Sequence, residues 1–217
     1  MGPNHTGLGH PLSLSTISWQ TPLGTIEADT FLASYFEGTD VVVDEAAHTH
    51  EHSIEVILPF LQRKLKGRKF KILPICMGDQ SSDAAELVAS IITNILIKDV
   101  TVQKKGYSEK LRIAVIASSD FSHYVSPQAA QETDRKVIRK IEELDVDGFY
   151  ETIEKENASL CGYGPIAALM MISKNVSASP KFLKYMTSDA ETESRTNVVG
   201  YAAFNFTLND KNNCKCD

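Results

Sequence analysis

Four short segments of this chain each set a histidine, cysteine or aspartate where an apolar element stops. They are Gly2-Pro3-Asn4-His5, Glu51-His52-Ser53-Ile54-Glu55, Ser118-Ser119-Asp120-Phe121-Ser122-His123 and Leu160-Cys161-Gly162. Such residue types build metal-assisted sites. The segments lie far apart in sequence, so they make one site only in a fold that gathers several element ends at a single rim. Open α/β sheets do this, because ligands bind outside the carboxyl ends of their strands.

The hydrophobic periodicity agrees with such a fold. Leu12 to Trp19 reads as a strand, ended by the Thr21-Pro22-Leu23-Gly24 turn. Asp29 caps a short helix running to Glu37, and Val41 to Val43 suits a strand. Ile54, Ile57, Leu58, Leu61 and Leu65 recur at three- and four-residue steps, which predicts a helix over His52 to Lys66 stopped by Gly67. Phe70 to Met77 reads as a strand bent at Pro74, and Asp83 with Glu86 as the box-like start of a helix carrying Leu87, Val88, Ile91, Ile92 and Ile95.

Leu111 to Ala117, apolar except for Arg112, is the clearest expected buried parallel strand, and it runs straight into Ser118-Ser119-Asp120. Ser126 as cap and Pro127 at the first helical position open a helix to about Leu144, followed by a second from Gly148 to Lys155. Gly164-Pro165 opens another, over Ile166 to Ser173, and Lys181 to Thr187 and Val198 to Leu208 read as closing strands. This order predicts an α/β fold, a mixed central β-sheet flanked by helices, as one domain over 1–208 with a polar tail at 209–217.

Bulk properties narrow the function. With 217 residues and 42% hydrophobic content, the chain can bury the core of a single domain. A net charge of −6 and the lack of a basic patch argue against nucleic acid; the densest basic run, Lys64 to Lys71, suits a solvated turn between helix and strand. No apolar stretch approaches a membrane span and no signal-peptide pattern opens the chain, so a cytoplasmic protein without a membrane partner is expected. Cys76, Cys161, Cys214 and Cys216 show no zinc spacing; all four are expected as free thiols, the Cys-Lys-Cys pair as a frayed end or a tail metal clip.

Each chemistry-bearing segment has a plain structural alternative. His5 follows a turn-like Gly-Pro-Asn entry that aims a side chain into a cleft, or is a stray terminal histidine. Among His48, His50 and His52, only His52 shares a helical face with an acid, Glu55, that can orient or protonate its ring; the alternative is an exposed loop. Asp120 and His123 follow the expected strand end, where open-sheet enzymes place catalytic groups, or belong to a polar turn. Cys161 sits ahead of a helix N-terminus, which favours a thiolate and a soft metal ligand, or it is a packed core thiol.

The set of segments resembles the Memo family (mediator of cell motility), which includes AmmeMemoRadiSam system protein B, and whose fold is similar to class III extradiol dioxygenases. The resemblance is carried by the four segments above, by Gln20-Thr21-Pro22-Leu23-Gly24, Leu58-Pro59, Pro165 and Tyr201-Ala202-Ala203, and so spans nearly the whole chain. It implies that His5 and Cys161 stand at metal-ligand positions and that His52, Asp120 and His123 line the same cleft. In the related dioxygenases, matching histidines do acid-base work beside a non-haem iron. The family also carries a Pro-His-Ala-Gly-Tyr segment, with a further ligand histidine, ahead of the strand leading into Gly-Pro-Asn-His. Its N-terminal strand is therefore expected to be missing here, through an unrecognised upstream start or a truncated gene, and metal binding to be impaired. His52 is expected to fill the third position only with backbone movement.

These implications predict a mononuclear divalent metal, iron first and copper second, with His52 and His123 moving protons and Asp120 orienting a ring or a water. A cysteine in place of the usual carboxylate of a 2-His-1-carboxylate triad makes ordinary extradiol ring cleavage doubtful. The competing reading is a non-catalytic metal-binding or peptide-binding adaptor, so the expected partner is a small molecule or a peptide. A hydrolase using Ser119 or Ser122 with His123 and Asp120 is weaker, because no Gly-x-Ser-x-Gly elbow is present.

Overall fold

The computed structural model describes residues 1–98, 100–104, 107–190 and 197–209, so the tail with Cys214 and Cys216 lies outside the described residues. The chain is mixed α/β and forms two compact units, one of Met1–Ser119 with Gly162–Ala168, the other of Asp120–Cys161 with Leu169 onward. Among the described residues, no helix is long and apolar enough to cross a membrane.

The first unit is built on short strands. β1 (Gly2–Pro3), β2 (Leu12–Leu14), β3 (Trp19–Thr21) and β4 (Gly24–Ala28) precede helix α1 (Thr30–Ala33), whose cap Asp29 accepts the Leu32 N–H as expected. β5 (Val42–Val43), α2 (Leu58–Lys64), β6 (Lys71–Ile72), β7 (Ile75–Met77), α3 (Ser82–Ile97) and the hairpin of β8 (Thr101–Lys104) and β9 (Tyr107–Lys110) follow. The order β1-β7-β2-β5 gives a mixed sheet: β1 runs parallel to β7, β7 antiparallel to β2, and β2 parallel to β5. A second sheet, β3-β4-β6, shares no strand with it.

Several expectations are refined or changed on this unit. The single strand over Leu12 to Trp19 is two, β2 and β3, in different sheets; at the break the Thr16 N–H turns to the Glu45 carboxylate. Likewise Phe70 to Met77 divides at Pro74 into β6 and β7, the bend that its missing N–H predicts. The helix expected from His52 begins at Leu58 behind a single 3-10 turn, Glu55–Ile57, and ahead of it the His52 and Ser53 N–H groups donate to the Glu51 carboxylate. Helix α3 is capped by Ser81, whose hydroxyl accepts the Ala84 N–H, and not by Asp83.

Leu111 to Ala117 is the largest departure. It is extended but belongs to no strand, and its residues alternate between half-buried and exposed. Its backbone hydrogen bonds include Leu111 N–H to the Val100 carbonyl and the Met1 amine to the Ile116 carbonyl, and next to it Ser118 N–H donates to the Met1 carbonyl. Pairing at one residue makes no ladder, and an apolar run alone does not supply one.

In the second unit, β10 (His123–Val125) leads to α4 (Pro127–Glu143), capped by Ser126 with Pro127 in the first turn as expected. Helix α5 (Val146–Glu156) follows, with Asp145 accepting the Gly148 N–H at its start. Of α6 (Tyr163–Asn175), the residues from Leu169 on belong to this unit; after it β11 (Ala178–Thr187) and β12 (Val198–Leu208) pair antiparallel, and β10 joins β12 to give the order β10-β12-β11. Phe182 faces Phe204 and Pro180 faces Phe206 in this register, cross-strand pairs that help hold the two strands together.

Candidate functional site

His5 leaves the end of β1. The strand pairs Gly2 with Cys76 and Pro3 with Met77, and the Asn4 N–H extends the ladder to the Met77 carbonyl. The Asn4 side-chain oxygen then accepts from Thr6 N–H, Thr6 hydroxyl and Gly7 N–H, a turn that swings the chain away immediately after His5. Gly2 matters here: a Cβ on it would lie 2.4 Å from Ser53 Oγ. Its absence lets the Glu51 to Ser53 segment lie against β1, where the Ser53 hydroxyl donates to the Pro3 carbonyl at 3.0 Å.

This packing brings Glu51 onto His5. Glu51 Oε1 sits 2.9 Å from His5 Nδ1 and accepts the His52 and Ser53 N–H groups at 2.8 Å each, while Oε2 accepts the His5 N–H. The side chain is only 1% exposed. Burial alone would push the carboxyl up; the His5 ring and the three N–H donors outweigh it and hold the acid down at about 2. An ionised carboxylate bonded to Nδ1 requires the proton on Nδ1, so His5 presents Nε2 as its open donor atom.

The His52 ring stacks on His5 with centroids 4.8 Å apart and planes 26° apart. Candidate ligand atoms of His5, Glu51 and His52 lie within 4.8 Å of one another, so these three could hold a metal ion. His52 thus already stands beside His5 without any backbone movement. The acid differs too: Glu55 is exposed, and Glu51 is the carboxylate at these rings. Because Glu51 already accepts four hydrogen bonds, its lone pairs suit it to orienting His5 better than to ligation. The acid was legible only as the residue before His52, since burial of its side chain has no sequence signal. His48 is a core residue, its ring edge-on to Trp19 at 5.6 Å and its pKa pushed down chiefly by burial.

In the second unit, Asp120, His123 and Cys161 come together. The Asp120 N–H donates to Cys161 Sγ at 3.1 Å, and the Cys161 N–H donates to the Asp120 carbonyl. Cys161 Sγ in turn lies 3.8 Å from the Asp120 carbonyl, to which a thiol can donate. His123 Nδ1 lies 2.6 Å from the Ser159 carbonyl and its N–H donates to Ser159 Oγ at 2.7 Å. A carbonyl can only accept, so Nδ1 carries the proton and Nε2 faces Asp120 Oδ2 at 3.7 Å. Ser122 is buried and its hydroxyl donates to Asp134 at 2.7 Å, while Ser119 Oγ accepts the Gly162 N–H in the first unit. Both serines are thus engaged elsewhere, against the hydrolase reading.

Sequence comparison bears on this arrangement. A family model described as Memo-like protein matches residues 1–205. The chain belongs to the Memo-like family. Among curated relatives, a MEMO1 family protein of Methanosarcina acetivorans is 49% identical over 93% of this chain and 72% of its own length. A MEMO1 family protein of Methanosarcina barkeri is 47% identical over the same shares, and one of Archaeoglobus fulgidus 41% over 95% of this chain and 74% of its own. The matched span of the Memo-like model contains His5, Glu51, His52, Asp120, His123 and Cys161.

Proposed function

We propose that this Memo-like protein is a mononuclear divalent-metal protein in which His5 Nε2 is a ligand, iron being the expected ion and copper the alternative. The observation that carries the reading is the buried, ionised Glu51 on His5 Nδ1–H, the carboxylate–histidine pairing that fixes the tautomer of metal-binding imidazoles. His52, stacked on His5, is proposed as a further donor at the same ion. For Cys161 the proposal as a thiolate ligand rests on the family resemblance and on the Asp120 N–H at its sulfur.

A bound ion of this kind supplies Lewis acidity toward an oxygen-rich ligand or dioxygen. The chain's own residues do the rest. Glu51 orients His5, and its own hydrogen bonds to three backbone N–H groups keep it in place. His123, with Nδ1 fixed by Ser159, takes or returns a proton at Nε2, and Asp120 opposite Nε2 stabilises the ring when it is charged. The expected similarity of the Memo family to class III extradiol dioxygenases supports a reading of oxygenase-like or redox chemistry, with a small molecule or peptide as ligand.

The test is metal content after anaerobic purification, measured for the parent protein and for His5→Ala, His52→Ala and Cys161→Ala. Loss of bound metal in His5→Ala and Cys161→Ala is expected. Unchanged content in both would overturn the assignment. Oxygen uptake with catechol-like compounds then separates an enzyme from an adaptor, since a fully loaded protein that consumes no oxygen is a binder.

A further inference from the structure

Tyr124 is held in a conformation that its side chain disfavours. Its φ is +56°, in the left-handed region where a bulky residue is an outlier. The cause is a bulge: pairing steps from His123↔Val199 to Val125↔Val198, so β10 carries one more residue than β12, and Tyr124 is the extra one. Nothing in core packing explains the aromatic ring, which is 76% exposed. The bulge turns it outward beside His123, with ring centroids 5.9 Å apart. Tyr201, 41% exposed on β12, follows Gly200, whose carbonyl accepts the Phe121 N–H and whose N–H donates to the Ser122 carbonyl, so the backbone sets it next to the Asp120 segment; burial first, then the Asp120 charge, push its phenol up. The Asp120 side chain is itself 46% exposed.

Two exposed phenol rings beside a half-exposed carboxylate have a defined recognition chemistry. Ring faces attract cations, and a carboxylate adds a charge-assisted hydrogen bond. We propose that Tyr124 and Tyr201, with Asp120, form a subsite for a cationic amine or guanidinium group carried by the ligand. The subsite deepens the reading of the His123 region by naming what is seated there. It works without a metal, so its failure and the failure of the metal assignment are separate results.

The test uses the full chain, metal-free, titrated with Nα-acetyl-lysine methylamide and with its uncharged isostere Nα-acetyl-norleucine methylamide, while the tyrosine ring signals are followed by NMR. Saturable shifts of Tyr124 and Tyr201 with the lysine probe only are expected. Tyr124→Gly removes the ring and relieves the backbone, so it should bind the lysine probe roughly two- to thirtyfold more weakly. Its melting temperature should be unchanged or higher, because glycine adopts this φ without strain. Tyr124→Asn, a second residue tolerant of this φ, serves if the glycine variant does not fold. Equal binding of the two probes, or full affinity in a folded Tyr124 variant, would overturn the proposal.

Discussion

Glu51→Gln is the sharpest single test of the His5 arrangement. The wild-type carboxylate accepts the His5 ring, the His5 N–H and the His52 and Ser53 N–H groups from a buried position. An amide of the same shape has one oxygen and one NH2, so whichever way it turns, the NH2 faces donors. The magnitude follows from linkage. Glu51 titrates at about 2 instead of its ordinary 4.5, which corresponds to about 3 kcal/mol of stability carried by the ionised form. Because the folded value is the lower one, this stability is complete above the unfolded value of 4.5 and is lost as pH falls toward 2. Urea unfolding of both proteins in steps across that range should show a gap of about 3 kcal/mol near neutrality that closes on acidification. Metal affinity, measured separately by competition with a chelator, should fall about 10- to 100-fold. A stability gap that is flat across the acid range, or below about 1 kcal/mol at neutrality, would refute a carboxylate held ionised by these donors.

Two further outcomes probe the second unit. Asp134 is buried, and burial pushes its pKa up against the Ser122 and Tyr185 hydrogen bonds. For an acid with a raised folded value the stability contribution is lost as pH rises, so Asp134→Asn, which can still serve Ser122 and Tyr185, should change stability by less than about 1 kcal/mol at neutrality. Asp134→Ala strands those donors and should cost about 3 kcal/mol; equal losses in thermal unfolding of the two variants would contradict the account. Gly200→Ala would place Cβ 2.2 Å from Asp134 Oδ2, and overpacking of this kind should lower stability by about 1 to 3 kcal/mol. A variant as stable as wild type by calorimetry would show that β12 can shift away from α4.

What the sequence made legible was local chemistry. Asp29 and Ser126 cap the helices they were expected to cap, Pro74 breaks its strand, and the alternation of Tyr201, Phe204 and Phe206 marks β12. The candidate residues were legible as segments, because a histidine, aspartate or cysteine at the end of an apolar run is visible without coordinates. Tertiary assignments were not. The apolar periodicity over His52 to Lys66 is present, yet the first N–H groups go to Glu51 and the helix starts later. Leu111 to Ala117 has strand composition yet is assigned to no strand. Tyr124 gives no sequence signal at all, since tyrosine favours ordinary extended backbone and only the register of β10 on β12 forces it out.

The two described histidine sites use the same device with different partners, and the difference separates their work. In each, an acceptor on Nδ1 fixes the tautomer and leaves Nε2 as the working atom: Glu51 for His5, the Ser159 carbonyl for His123. An anionic acceptor pushes electron density toward Nε2 and makes it a stronger donor to a cation. A neutral carbonyl orients the ring without that push, which suits the proton-transfer role proposed for His123. Exchanging the two roles by mutation would fail for a physical reason. A carboxylate on His123 Nδ1 would add to the Asp120 charge already facing Nε2 at 3.7 Å and hold the ring protonated. A carbonyl on His5 would leave the imidazole of the proposed metal ligand without its compensating charge. The sequence difference behind this is small: an acid beside His52 that folds back under His5, and a backbone carbonyl at Ser159 that needs no side chain at all.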